Sequence, residues 1–179
     1  MRRREFLEIV AGVSTLALAQ QLHAAARTGV RLRTLSEQQN STLSALADAL
    51  LPESDTPGAL TLGVDRFIDL LLTESLIERD RNRFLAALEA IDERSRSRSG
   101  AVFPSLSEEQ RHALLSELDG ALPTPGAKEP KDAPMTAARG YAMVKRLVVY
   151  AYFTSPPVAK ELLKTYPIIP GRYDGCLAV

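Results

Sequence analysis

Cysteine and histidine are nearly absent from this 179-residue chain, which has one cysteine, Cys176, and two histidines, His23 and His112. That scarcity excludes zinc sites, haem attachment and disulfide frameworks within the chain, since each needs several such side chains brought together. Glycine-rich loops are missing too. None of the 10 glycines falls in a G-x-G-x-x-G pattern or a phosphate-cradling turn, so the chain alone is not expected to hold a nucleotide or a flavin. Charge of one sign is also lacking: Lys+Arg and Asp+Glu both number 22, which leaves no basic field to draw in nucleic acid or anionic lipid. Any redox chemistry connected with the chain is therefore expected to belong to a partner. What is present, 45% hydrophobic and 25% charged residues, suits one ordinary globular domain with a buried core, without room for a second.

The N-terminus has the order of an address. Arg2-Arg3-Arg4-Glu5-Phe6-Leu7 leads into an apolar stretch of 11 residues, Ile9 to Ala19, then Gln20, Gln21 and the small-residue run Ala24-Ala25-Ala26. These are the charged, apolar and cleavage regions of an export signal. The apolar stretch, diluted by Gly12, Ser14 and Thr15, is well short of the roughly 20 residues that span a bilayer. Arg3 and Arg4, one residue before Phe6 and Leu7, resemble the twin-arginine signal read by a translocase that carries folded cargo. Arg2 and Glu8 depart from that pattern, where Ser or Thr and Lys are usual. Residues 1–26 are read as the signal and 27–179 as a single exported domain, placed in the periplasm or on the periplasmic face of the inner membrane.

The domain reads as helices throughout. Ser36-Glu37-Gln38-Gln39 is a capping box, predicting a helix from Glu37 to about Leu51 with Leu43, Leu46, Ala47 and Leu50 as its apolar stripe and Pro52 as its stop. Asp55-Thr56-Pro57-Gly58 is a turn by residue chemistry. A short helix, Val64 to Thr73, is apolar nearly all round and is expected deep in the core or under a partner. A third runs from Ile77 to Arg98 and ends in Arg94-Ser95-Arg96-Ser97-Arg98-Ser99-Gly100, basic and then glycine as a helix C-terminus prefers; an RNA-binding tract is the lesser reading. Ser107-Glu108-Glu109-Gln110 opens a fourth helix to about Leu118, which carries His112 as a surface histidine. The segment 120–134, rich in proline and glycine, is a stiff connection. Thr136 to Phe153 is the longest buried helix, and Ser155-Pro156 caps and opens a last one to about Thr165. The fold expected is all-α, an irregular bundle of five or six helices with a signal segment in front and an extended C-terminal tail. Asp48, Asp55 and Asp65 are the only carboxylates inviting a catalytic reading, and their turn and cap contexts favour a structural one.

Three stretches resemble the gluconate 2-dehydrogenase subunit 3 family. The first is Leu46-Ala47-Asp48-Ala49-Leu50-Leu51-Pro52 with Asp55-Thr56-Pro57-Gly58-Ala59, followed by Gly63-Val64-Asp65-Arg66-Phe67-Ile68-Asp69. At the other end, Tyr152-Phe153-Thr154-Ser155 and Tyr166-Pro167-Ile168-Ile169-Pro170-Gly171-Arg172-Tyr173-Asp174-Gly175-Cys176 look like that family's closing pattern. The resemblance implies a small subunit with no catalytic, cofactor-binding or metal-binding residues of its own. Its partners would be a large FAD-dependent dehydrogenase subunit of the glucose-methanol-choline type, oxidising sugars, sugar acids or polyols, and in some complexes a cytochrome c subunit carrying haem c. Tyr152, Phe153, Tyr166, Pro170, Gly171, Tyr173 and Cys176 are the candidate contacts to the large subunit. Cys176 is open to two readings: a disulfide to the partner, as an odd cysteine in an exported protein suggests, or a small apolar side chain packing the tail. A stand-alone exported protein binding a lipid or small molecule between helices is the competing function.

Replacing Arg3 and Arg4 together by Lys keeps the charge but removes the guanidinium pair that the export receptor reads. Fractionation should then find the chain in the cytoplasm.

Overall fold

A computed structural model describes residues 31–122 and 134–161. The signal residues Arg3, Arg4, Phe6 and Leu7, the cleavage boundary, most of the 120–134 connection and everything past residue 161 lie outside the described residues. Six α-helices and one 3-10 turn are present and, among the described residues, no strand: α1 (Glu37–Leu50), α2 (Val64–Glu74), α3 (Glu78–Ser99), the 3-10 turn (Phe103–Ser105), α4 (Glu108–Gly120), α5 (Ala137–Thr154) and α6 (Pro156–Glu161). The all-α bundle expected from the periodicity is what forms.

Local chemistry sets most of the boundaries. Both capping boxes close in full: Gln39 N donates to Ser36 Oγ at 3.2 Å while Ser36 N donates to Gln39 Oε1 at 3.0 Å, and Gln110 and Ser107 repeat the exchange at 3.3 and 3.0 Å. α3 stops at Gly100, left-handed at φ 73°. The arginines before it are occupied as structural groups: Arg94 and Arg98 both pair with Glu117 of α4, and between them Ser95, fully buried, donates to Ala101 O at 2.7 Å. Ser155 serves both helices: its hydroxyl donates back to Tyr152 O at 2.7 Å and finishes α5, while its carbonyl accepts from Ala159 N at 2.9 Å, and α6 opens at Pro156 as expected.

α5 is the axis of the bundle. Gly140, Tyr141, Val144, Leu147, Val148, Ala151 and Tyr152 form its buried side, facing Phe84, Ala87, Leu88 and Ile91 of α3 and the apolar side chains of α2. The two long helices meet backbone to backbone, since a Cβ added at Gly140 would lie 2.8 Å from Ala87 O. Glycine inside a helix costs about 1 kcal/mol against alanine, and the close approach it permits offsets that loss through packing. α2 is enclosed as expected, with Phe67, Ile68 and Leu72 at 0% exposure; each such side chain contributes about 1.5–3 kcal/mol of burial.

Three carboxylates are buried in this apolar body, each with donors reaching it from another element. Asp92 of α3 accepts from Thr42 Oγ1 of α1 at 3.0 Å and from Phe103 N at 3.1 Å. Asp65 of α2 accepts from Ser44 Oγ at 3.2 Å and Asn40 Nδ2 at 3.4 Å, both on α1. Asp69, also on α2, accepts from the backbone amides of Arg33, Thr34 and Leu35 at 2.8, 3.0 and 2.8 Å. Burying a carboxylate is costly unless its oxygens are satisfied, so these residues specify which helices are neighbours.

The close approach at Gly140 gives a direct comparison. Gly140→Ala pushes a methyl onto the Ala87 backbone and should lower stability by about 1–3 kcal/mol. Gly120→Ala, with nothing within 4 Å of the new atom, should change it by less than about 1 kcal/mol in either direction. Thermal denaturation of the two variants checks the difference.

Candidate functional site

The helical phase of α5 divides its residues into an inward set and an outward set. Steps of three and four from Ala142 lead through Lys145, Arg146, Val149 and Phe153, away from the buried side. With Tyr150, Thr154 and Leu122, these residues line an open groove of about 650 Å³. Val149 and Phe153 are 36% and 37% exposed, two of the four large hydrophobics standing out from the described surface; the others, Leu60 and Ile77, are not part of the groove. An apolar pair in a concavity with charged residues at its edge is the usual form of a contact surface.

The charges at the groove are held in place from α4. Lys145 Nζ donates to both oxygens of Asp119, at 2.7 and 2.9 Å, and Tyr141 Oη donates to Asp119 Oδ2 at 3.1 Å. The ammonium also sits 5.2 Å from the centre of the Tyr141 ring, within cation–π range. Burial works against the lysine's charge, but its bonds to Asp119 and Tyr141 prevail and hold its pKa above the usual lysine value. Burial, joined by Asp119 and opposed by Lys145, lifts the Tyr141 phenol in the same direction. Asp119 thus neutralises Lys145, while Arg146 stands exposed beside it. The floor of the groove is backed by the core, with the Tyr150 and Phe67 rings 6.5 Å apart.

Two of the proposed contact residues can be placed, and they part company. Tyr152 is 4% exposed, and its hydroxyl donates to Pro57 O at 3.0 Å and lies 3.3 Å from Thr56 Oγ1. It is an internal clamp, not a free surface group, because the same helical phase that buries Tyr141 and Val148 buries it. Phe153 is the outward one, its ring edge-on to Tyr152 at 5.3 Å. Tyr166, Pro170, Gly171, Tyr173 and Cys176 lie outside the described residues. The Tyr152 clamp brings together the turn Asp55-Thr56-Pro57-Gly58 and the end of α5, some 95 residues apart in the chain. Gly58 is required in that turn, as a Cβ there would sit 2.8 Å from Glu53 N.

A family model, Gluconate 2-dehydrogenase subunit 3, matches residues 37–171, a span that takes in every described helix. The chain belongs to the gluconate 2-dehydrogenase subunit 3 family. Neither a curated protein nor a solved structure matches it. For this member of the subunit 3 family, the carboxylates that invited a catalytic reading have other situations. Asp65 is bonded to α1, Asp55 is exposed in its turn, and no group of three or more His, Cys, Asp or Glu side chains able to hold a metal occurs among the described residues. Nor is any described helix long and apolar enough to cross a membrane. Lys145, Arg146, Val149 and Asp119 were not candidates from the sequence. The apolar pair Val149 and Phe153 at i, i+4, out of phase with the buried stripe, was the available signal.

The clamp and the outward ring separate by mutation. Tyr152→Phe leaves the half-buried Pro57 carbonyl without its donor and should cost about 0.5–1.5 kcal/mol, whereas Phe153→Ser, at the surface, should cost less; chemical denaturation of both variants measures the order.

Proposed function

We propose that the chain is the non-catalytic small subunit of an exported, flavin-dependent dehydrogenase complex, docking its large subunit through the outward face of α5. The observation that carries the reading is the α5 groove in a chain of the subunit 3 family. On this reading FAD and the catalytic groups belong to the large subunit, a glucose-methanol-choline type oxidoreductase acting on sugars, sugar acids or polyols, and haem c to a cytochrome subunit where one is present. The small subunit assembles with the large one, stabilises it and takes it through the twin-arginine translocase to the periplasm. The domain from residue 27 onward acts as one body in this role.

Docking removes from water the part of Val149 and Phe153 that is still exposed, 36% and 37%, worth about 0.5–1 kcal/mol for each side chain, and Arg146 at the rim favours an acidic counterpart and fixes orientation. A stable interface needs about 800 Å² from each side, more than one groove supplies. Tyr166, Pro170, Gly171, Tyr173 and Cys176 remain proposed further contacts, with Cys176 either bridging to the large subunit or packing. A second reading, a stand-alone carrier of an amphipathic small molecule, is favoured by the same groove's apolar lining with a cation at its edge.

Affinity isolation of the tagged chain from the cell envelope discriminates between the readings. The wild type should bring down a flavoprotein, recognised by its visible flavin absorbance. Val149→Asp and Phe153→Asp should lose it with the melting temperature of the chain little changed, whereas Ile77→Asp, more exposed than either and away from the groove, should retain it. A wild-type chain isolated without any flavoprotein contradicts the subunit reading.

A further inference from the structure

Residues 33–35, which precede the capping box of α1 and belong to no helix, are held by side chains of α2. Asp69 is 4% exposed, and three successive amides, Arg33, Thr34 and Leu35, converge on its two oxygens. Successive N–H groups pointing at one anion make a backbone nest, closed here by a carboxylate of the same chain. Thr73 supports it: its hydroxyl donates to Asp69 O at 2.8 Å and meets the Thr34 hydroxyl at 2.7 Å. Arg33 pairs with Glu74 at the surface, 2.7 Å, and Leu35 inserts into the core at 5% exposure. Every one of these groups on α2 falls on one side of its last turns, so the strap closes only when α2 is helical and seated against α1 and α5.

We propose that the Asp69 strap is a latch that couples completion of the fold to export competence, an inference that rests on the twin-arginine reading of residues 1–26. With the latch closed, the polypeptide just past the signal presents paired amides and a buried Leu35. With it open, the same stretch presents three unpaired amides and an exposed leucine directly behind the signal. A translocase that accepts folded cargo meets that region first, since only residues 27–32 separate the strap from the small-residue cleavage region Ala24-Ala25-Ala26. The latch acts as a positioning device with no chemistry of its own.

Asp69→Asn keeps the size of the side chain but replaces one acceptor oxygen by a donor facing an amide. Arg33→Pro deletes one of the three donors from a position outside the core, and decides the matter should Asp69→Asn fail to fold. Leu115→Val, a core change on α4, serves as the control matched in melting temperature. In the full chain with its signal, the strap amides, those of residues 33–35 in Asp69→Asn and of residues 34 and 35 in Arg33→Pro, should exchange hydrogen at least about tenfold faster than in the wild type. Their exported fraction should fall several-fold, while the control at equal melting temperature exports like the wild type. Normal export of the strap variants with freely exchanging amides overturns the latch, and so does an equal loss of export in the control, which would assign the effect to stability alone. A wild-type chain that stays in the cytoplasm sinks the export reading itself, and the latch with it, before any variant is compared.

Discussion

The backbone contact between Gly140 of α5 and Ala87 of α3 is the constraint from which the rest of the architecture follows. It lets two helices of 18 and 22 residues lie against each other without side chains between them at the crossing. Rotation of α5 about its axis is thereby restricted: Tyr141, Val144, Val148 and Tyr152 must point inward, and Ala142, Val149 and Phe153 are left outward. The groove is a consequence of that phase. A helix seated a few ångströms further out would be free to turn, and its outward stripe would have no fixed composition.

Around this contact the apolar core supplies the driving force and the buried carboxylates supply the addresses. Leucines and phenylalanines pack against one another in many combinations at similar cost, but Asp92 is satisfied only where Thr42 and the Phe103 amide meet it, and Asp69 only where residues 33–35 arrive. Such groups contribute little net stability when satisfied and cost much when not. Asp119 plays the corresponding part at the surface, where it ties α4 to α5 through Tyr141 and Lys145 and gives the groove its rim.

Features decided within a few residues were legible in the sequence: both capping boxes, the glycine end of α3 and the stop before Pro52, because their partners lie about one helical turn away, and the enclosure of α2 was legible from its composition, apolar nearly all round. Features decided across the fold were not. Asp69, Asp92 and the Tyr152 clamp find their partners 34, 50 and 95 residues away, and nothing local announces them. Tyr152 is instructive, since the resemblance to the family made it a candidate contact to the large subunit. Counting turns from Tyr141 places it on the inward side and Phe153 on the outward one. The arginine–serine tract went the other way: its structural reading held, and Glu117 of α4 is the partner that the sequence alone did not name.

The functional account rests on one physical claim, that the outward face of α5 is covered in the assembled complex. Hydroxyl-radical footprinting of the chain, free and in complex with its large subunit, measures this side chain by side chain. The account predicts that oxidation of Phe153 and Tyr150 falls sharply on assembly while Leu60 and Ile77 are labelled as before. Equal labelling of Phe153 in the free and assembled states would contradict it.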